Sequence, residues 1–420
     1  MTRGTMLRAG GVLAAVLGLT AALAAPAAAA GARSPSVLPQ PSAGCPGTSA
    51  VAAPGATPWA QQALGFASVW RLTRGAGVTV AVVDSGVDAN PQFGDRVTIG
   101  PDLALSPTGS SPDAAPDADC VGHGTSVASI IAAAPVPGVS FSGVAPAADI
   151  LSVKITNSDT FPGSVAAQAI VAAVDDGAQV VNLSLATVST PALAAAVRFA
   201  QASNVVVVAA AGNDSPDGAT GPFYPAAYPG VLSVGAVGPD GARAGFSDTL
   251  TPVSVTAPGV SVTAAYPGVF PRAYNPASNG TSFATAFVSG VAALVRAAHP
   301  GLDQAQVVAR ITATANGSAG PGTGHGLINP VQAVTAILPP GPAPSAAGAG
   351  RPAGVPAGAG AARPRVTVDR VAHPDQRATA VALPITVGAA ALALLAIAAA
   401  VVIPAGRRRH WRPGPPSPRP

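Results

Sequence analysis

The chain has 420 residues, 49% of them hydrophobic and only 10% charged, with 48 Gly and 45 Pro. So apolar a composition argues against disorder throughout and provides for a substantial core, while 4% aromatics argues against an aromatic stacking platform for nucleic acid. The net charge of +4 is unevenly spread: three Arg in residues 1–58, nine Lys or Arg against 16 Asp in 59–338, and ten Arg against two Asp in 339–420. The middle is acidic and the basic ends are where targeting signals sit, so no nucleic-acid partner is expected.

In chain order, Arg3 and Arg8 precede an uncharged apolar run from Gly11 to Ala25, and small residues follow at 25–30. That is the pattern of a secretory signal peptide over 1–30, cleaved between Ala28 and Ala30; the alternative is an uncleaved anchor. Residues 31–58 are rich in Pro, Gly, Ser and Ala and read as a short extension. It carries Cys45, and the second cysteine is Cys120. Two cysteines in an exported chain suggest a disulfide, against two free thiols. The bridge would close a loop of about 75 residues, worth about 4 kcal/mol on the loop-entropy account.

Residues 59–338 alternate apolar runs with helical patterns. The predicted strands are Val78–Val83, Ile150–Ile155, Gln179–Leu183, Asn204–Ala210 and Val231–Ala236. None alternates cleanly, as expected of strands buried on both faces. The predicted helices are Gly163–Asp175, Pro191–Ala202, Thr281–Ala298 and Asp303–Ala313. The expected fold is therefore α/β, a parallel sheet with helices on both faces, whose site lies at the carboxyl ends of the strands. Gly94–Asp119 reads as a long polar loop. Residues 339–377 read as a Pro/Gly/Ala-rich linker. The 28 uncharged residues Ala378–Ala405 are long enough for one transmembrane helix. Arg407, Arg408, Arg409 and Arg412 mark 406–420 as a cytoplasmic tail, leaving the main body outside the cell membrane.

The strand-end rule directs attention to Asp84-Ser85-Gly86 after the first run and Asn213 after the fourth. Two predicted helix starts join them, Gly122-His123-Gly124-Thr125 and Gly280-Thr281-Ser282-Phe283. Each alone is an ordinary turn or cap. Together Asp84, His123, Asn213 and Ser282 follow the chain order Asp, His, Ser of one class of serine peptidase.

Four blocks, Val-Ala-Val-Val-Asp-Ser-Gly-Val (80–87), Gly-His-Gly-Thr-Ser-Val-Ala (122–128), Val-Val-Val-Val-Ala-Ala-Ala-Gly-Asn (205–213) and Gly-Thr-Ser-Phe-Ala (280–284), resemble the subtilisin-like serine peptidases. The likeness spans 59–338. The order of signal peptide, Cys-bearing extension, peptidase, Pro-rich linker, membrane helix and basic tail is similar to the mycosins, membrane-anchored proteases of type VII secretion systems. So are Cys120-Val121-Gly122-His123, which resembles the mycosin Asp-Cys-x-Gly-His block, and Val-Ser-Gly-Val-Ala-Ala-Leu-Val-Arg (288–296).

A serine hydroxyl is a poor nucleophile until a base takes its proton. In this reading His123 takes the proton of Ser282 and delivers it to the leaving amine, and Asp84 holds the imidazole tautomer. The Ser282 N–H at a helix start and the Asn213 amide form the oxyanion hole. The resemblance implies a polypeptide substrate extended between Asn157–Thr160 and Ser184–Ala186. Its contacts would include Ser158, Asp159, Ser184 and Leu185, with Ala210, Ala211 and Gly212 walling the first specificity pocket. It implies no catalytic cofactor. Subtilases often bind structural calcium, but no metal motif locates such a site here.

The sequence departs from the family's pattern at four points. Ala286 stands where Pro is usual, Ala186 where Gly is common, and no cysteines remain for a second disulfide. About 30 residues between signal peptide and peptidase are too few for a folded inhibitory prodomain. The function expected is a membrane-tethered endopeptidase with a dedicated task. The alternatives are a structural stabiliser of a secretion complex and a general degradative protease.

Overall fold

Strand residues that alternate between two apolar faces can be covered on both sides, and the central runs do so. The computed structural model describes residues 52–104, 118–157, 160–213, 221–268, 274–318 and 320–338, with a short strand at 365–367. Seven strands form one sheet: β1 (Thr79–Asp84), β2 (Val97–Asp102), β3 (Asp149–Lys154), β5 (Val180–Leu183), β6 (Val206–Ala210), β7 (Leu232–Val237) and β8 (Val255–Pro258). Their order is β2-β3-β1-β5-β6-β7-β8. Every neighbouring pair is parallel. The chain moves outward on one side of β1, returns, and continues on the other, so the topological switch lies beside β1.

The period of two divides the core. Val80, Val82, Val206 and Val208 pack in one cluster with Ile130 and Ile131 of α2 (His123–Ala132) and with Phe287, Val288 and Val291 of α5 (Thr281–Ala298). Ala81, Val83, Val207 and Ala209 pack in the other with Val165 and Ile170 of α3 (Gly163–Asp175) and Leu193 and Val197 of α4 (Pro191–Ala202). The helix starts follow local chemistry. Thr190 caps α4 ahead of Pro191, and Asp303 and Gln306 form a capping box on α6 (Gln304–Ala313). The smaller elements of the peptidase region include α1 (Trp59–Leu64), α7 (Pro330–Thr335) and the antiparallel pair β9 (Val262–Ala265) and β10 (Tyr274–Ser278).

All five predicted strands and all four predicted helices are present, with ends shifted by at most two residues. Gly94–Asp119 is corrected: it contains the edge strand β2. That strand carries Gly100 and Pro101 and has three exposed residues, so no apolar run announces it. α5 runs unbroken through Ala286, which is fully buried. A second, two-stranded sheet joins β4 (Thr160–Pro162) to β11 (Arg365–Thr367), the latter inside the segment read as linker.

Among the described residues only α5 is long and apolar enough to cross a membrane, and it is the buried core helix. The expected signal peptide, transmembrane helix and tail, together with Cys45, Ser158 and Asp159, lie outside the described residues.

Candidate active site

Asp84 is the last residue of β1 and His123 the first of α2. They meet because α2 is pressed onto the turn that follows β1. A Cβ on Gly124 would lie 2.1 Å from the Gly86 carbonyl oxygen and 3.1 Å from Asp84 Cβ, so only glycine allows the approach. Gly122, at φ +81°, turns the chain into the helix beneath the Tyr266 ring. The His123 Nδ1 then sits 2.7 Å from Asp84 Oδ1 and 2.9 Å from Oδ2, with both residues buried. A carboxylate on Nδ1 fixes that nitrogen as the donor and leaves Nε2 as the basic end of the ring.

Ser282 is the second residue of α5, whose N-cap is Gly280. The first turn of an 18-residue helix presents backbone N–H groups without helical partners and the positive end of the dipole. Ser282 is held from β5. Its Oγ donates to the Ser184 carbonyl at 3.1 Å, and Ser184 Oγ donates to the Ser282 carbonyl at 3.0 Å. Asn182 Nδ2 donates to Ser184 Oγ, and Ser289 of α5 donates to Asn182 Oδ1. The ring of Phe283, next to Ser282, lies 5.3 Å from the His123 ring, which brings the two helix starts together.

Asn213 follows β6. Its Oδ1 accepts from Thr281 N at 3.1 Å and from Thr281 Oγ1 at 3.0 Å. With the carbonyl end so fixed, the side-chain NH2 is turned away from Thr281. Leu185, Ala210 and Ala211 are buried at the ends of β5 and β6, and Gly212 takes φ +103°. Asp84, His123, Asn213, Ser282, Ser184, Leu185, Ala210, Ala211 and Gly212 thus all sit at carboxyl ends of strands or at helix starts.

Sequence reading gave Asp119 no role, yet it organises the site. Its Oδ1 accepts from Ser85 Oγ at 2.7 Å and Gly122 N at 2.8 Å, and its Oδ2 from Thr125 N at 2.8 Å and Thr125 Oγ1 at 2.7 Å. Ser85 Oγ also lies 3.2 Å from Asp84 Oδ1 and accepts from Gly124 N. Burial pushes the Asp119 carboxyl above the ordinary carboxylate range; the Thr125 and Ser85 hydrogen bonds oppose this, and the Asp84 charge adds to it. A signal was present in the sequence: an acid four residues ahead of a Gly-hedged His. Next to it, Cys120 is disulfide-bonded. The only lysine, Lys154, is buried, lies across from Asp84 in the sheet and donates to the Ala118 carbonyl. His299, outside the site, contacts the Val334 carbonyl.

A buried carboxylate–imidazole pair beside a serine at a helix N-terminus, with an amide turned by Thr281, is equipped for nucleophilic acyl transfer. Among the described residues no three His, Cys, Asp or Glu side chains gather as a metal site.

The Subtilase family model matches residues 75–331. Mycosin-1 of Mycobacterium tuberculosis (strain ATCC 25618 / H37Rv) is 36% identical over 349 residues, covering 68% of this chain and 75% of that protein. Mycosin-3 of the same organism is 34% identical over 418 residues, covering 85% of each. The solved structure of MycP1 from the ESX-1 type VII secretion system matches with a TM-score of 0.61 at 31% identity, covering 73% of this chain and 94% of that one.

Proposed function

We propose, for a chain that belongs to the subtilase family of serine peptidases, that it is a membrane-anchored endopeptidase working beside a type VII secretion complex. Its class is a subtilisin-like serine endopeptidase. In the mechanism, Ser282 Oγ attacks the scissile carbonyl while His123 Nε2 takes its proton. The tetrahedral oxyanion is held by the Ser282 N–H and the Asn213 side-chain NH2. His123 then protonates the leaving amine, and water resolves the acyl-enzyme by the same steps. Asp84 holds Nδ1–H and stabilises the imidazolium. The observation that carries this reading is the buried 2.7 Å Asp84–His123 contact beside the α5 start that presents Ser282. The substrate would lie extended between the segments ending at Thr160 and at Ala186, and Ala210–Gly212 would wall its first pocket.

The proposed organisation is a signal peptide (1–30), an extension (31–58), the peptidase (59–338), a linker (339–377), a membrane helix (378–405) and a cytoplasmic tail (406–420). Cys45 is the proposed partner of Cys120, which would brace the extension three residues from His123. Similarity to mycosins supports the secretion role. The test is the full-length chain in detergent with an internally quenched peptide library. Wild type cleaves within peptides and Ser282→Ala does not; equal cleavage by the variant overturns the mechanism. In cells, a secretion defect in a deletion strain that Ser282→Ala fails to restore ties proteolysis to the secretion role. Full restoration favours the structural stabiliser.

A further inference from the structure

β4 lies between β3 and α3 in the chain. The chain reaches it from β3, whose last residue, Lys154, pairs across the sheet with Asp84. It leaves β4 at Gly163, where a Cβ would come within 2.9 Å of Thr187 Oγ1. Thr187 follows Ser184–Ala186, and Ser184 is bonded to Ser282 in both directions. β4 therefore ends beside the Ser184–Thr187 segment that holds Ser282. Among the described residues its sole strand partner is β11, antiparallel, with Arg365 opposite Pro162, Val366 opposite Phe161 and Thr367 opposite Thr160.

The sequence supports a strand at this place. Residues 339–364 contain one β-branched residue, Val355, whereas Val366, Thr367, Val368 and Val371 cluster immediately after Pro364. β-branched residues favour a pleated, paired backbone. We propose that the linker strand Arg365–Thr367 is a built-in occupant of the substrate edge, competing with polypeptide substrate for β4. This rests on the peptidase reading above. Strand addition draws its affinity from main-chain hydrogen bonds, so the chain's own strand and a substrate strand can replace one another there. The 26 residues at 339–364 make the competitor intramolecular, and a tethered strand acts at an effective concentration on the order of millimolar. A short peptide then binds weakly, and a substrate that displaces the strand along its whole length binds well.

The test uses the full-length chain in detergent and the double variant Val366→Pro/Thr367→Pro, which removes two backbone donors from the linker and leaves the core untouched. For a short peptide substrate the variant is expected to show a KM lower by about threefold or more, with kcat unchanged. A synthetic peptide spanning Arg363–Arg370 should inhibit the variant competitively. Equal KM values and no inhibition overturn the inference. Amide exchange in a Ser282→Ala background gives a readout independent of catalysis. Thr160 and Phe161 should exchange about tenfold faster when the prolines are present, and equal exchange overturns the proposal. An inactive wild type that still shows the exchange difference sinks the peptidase reading and leaves strand docking standing. An exchange difference that vanishes on dilution assigns the strand to a second copy and overturns the intramolecular claim.

Discussion

Ser184 and Ser282 hold each other twice. Ser282 Oγ donates to the Ser184 carbonyl at 3.1 Å, and Ser184 Oγ returns a bond to the Ser282 carbonyl at 3.0 Å. Ser184 directly follows β5 and Ser282 is the second residue of α5, so this reciprocal pair ties the start of α5 to the sheet. Asn182 and Ser289 complete the network beneath it.

Replacing Ser184 with Ala keeps its carbonyl but removes the hydroxyl. Buried Asn182 Nδ2 then loses its acceptor and the Ser282 carbonyl a donor. The expected cost is about 1–3 kcal/mol. Thermal melting should show a fall of several degrees, accompanied by lower kcat. An unchanged melting temperature would contradict the role of the pair.

Asn213→Ala removes the proposed oxyanion donor, along with the acceptor of Thr281 N and Oγ1. A loss of about 10²–10³ in kcat with little change in KM is expected. Steady-state kinetics on one peptide decides it. A loss confined to KM would mean that Asn213 contacts the bound substrate only.

Gly124→Ala places a Cβ 2.1 Å from the Gly86 carbonyl oxygen. α2 must retreat from the turn after Asp84, at a cost of about 1–3 kcal/mol. The His123–Asp84 contact should loosen with it, so activity should fall further than the melting temperature implies. Denaturation and kcat/KM measured side by side test this.

Asp119 gives a pH prediction. Its carboxyl is raised in the folded state, chiefly by burial, so the folded protein binds that proton more tightly than the unfolded chain. The stabilisation is fully present below the ordinary carboxylate pKa of about 4. It is lost as pH rises through the raised folded value. Asp119→Asn removes this slope and also breaks part of a four-bond acceptor set, because an amide has one oxygen where the carboxylate has two. The variant should be less stable than wild type, with the deficit shrinking as pH rises from about 4. Denaturant titration at several pH values checks it, and a deficit that grows with pH would refute it.

The central strands were legible because strands buried on both faces leave continuous apolar runs such as Val78–Val83. Edge elements were not. β2 is half exposed and carries Gly100 and Pro101, and β8 is four residues long and ends in Pro258. Asp84, His123, Asn213 and Ser282 could be found because they stand at strand ends and helix starts in a telling order. Asp119 was harder to see: its place four residues ahead of His123 was the one local signal, and its role emerges only when Ser85, Gly122 and Thr125 converge on it in space. The β4–β11 pairing joins residues about 200 apart, and no local pattern encodes that contact.

The proposed peptidase activity requires an activated Ser282. The most direct measurement is labelling of the full-length chain in detergent with a fluorophosphonate, alongside Ser282→Ala and His123→Ala. Rapid labelling of wild type that disappears in both variants is the predicted result. A folded wild type that stays unlabelled, or a His123→Ala variant that labels at the wild-type rate, would contradict it.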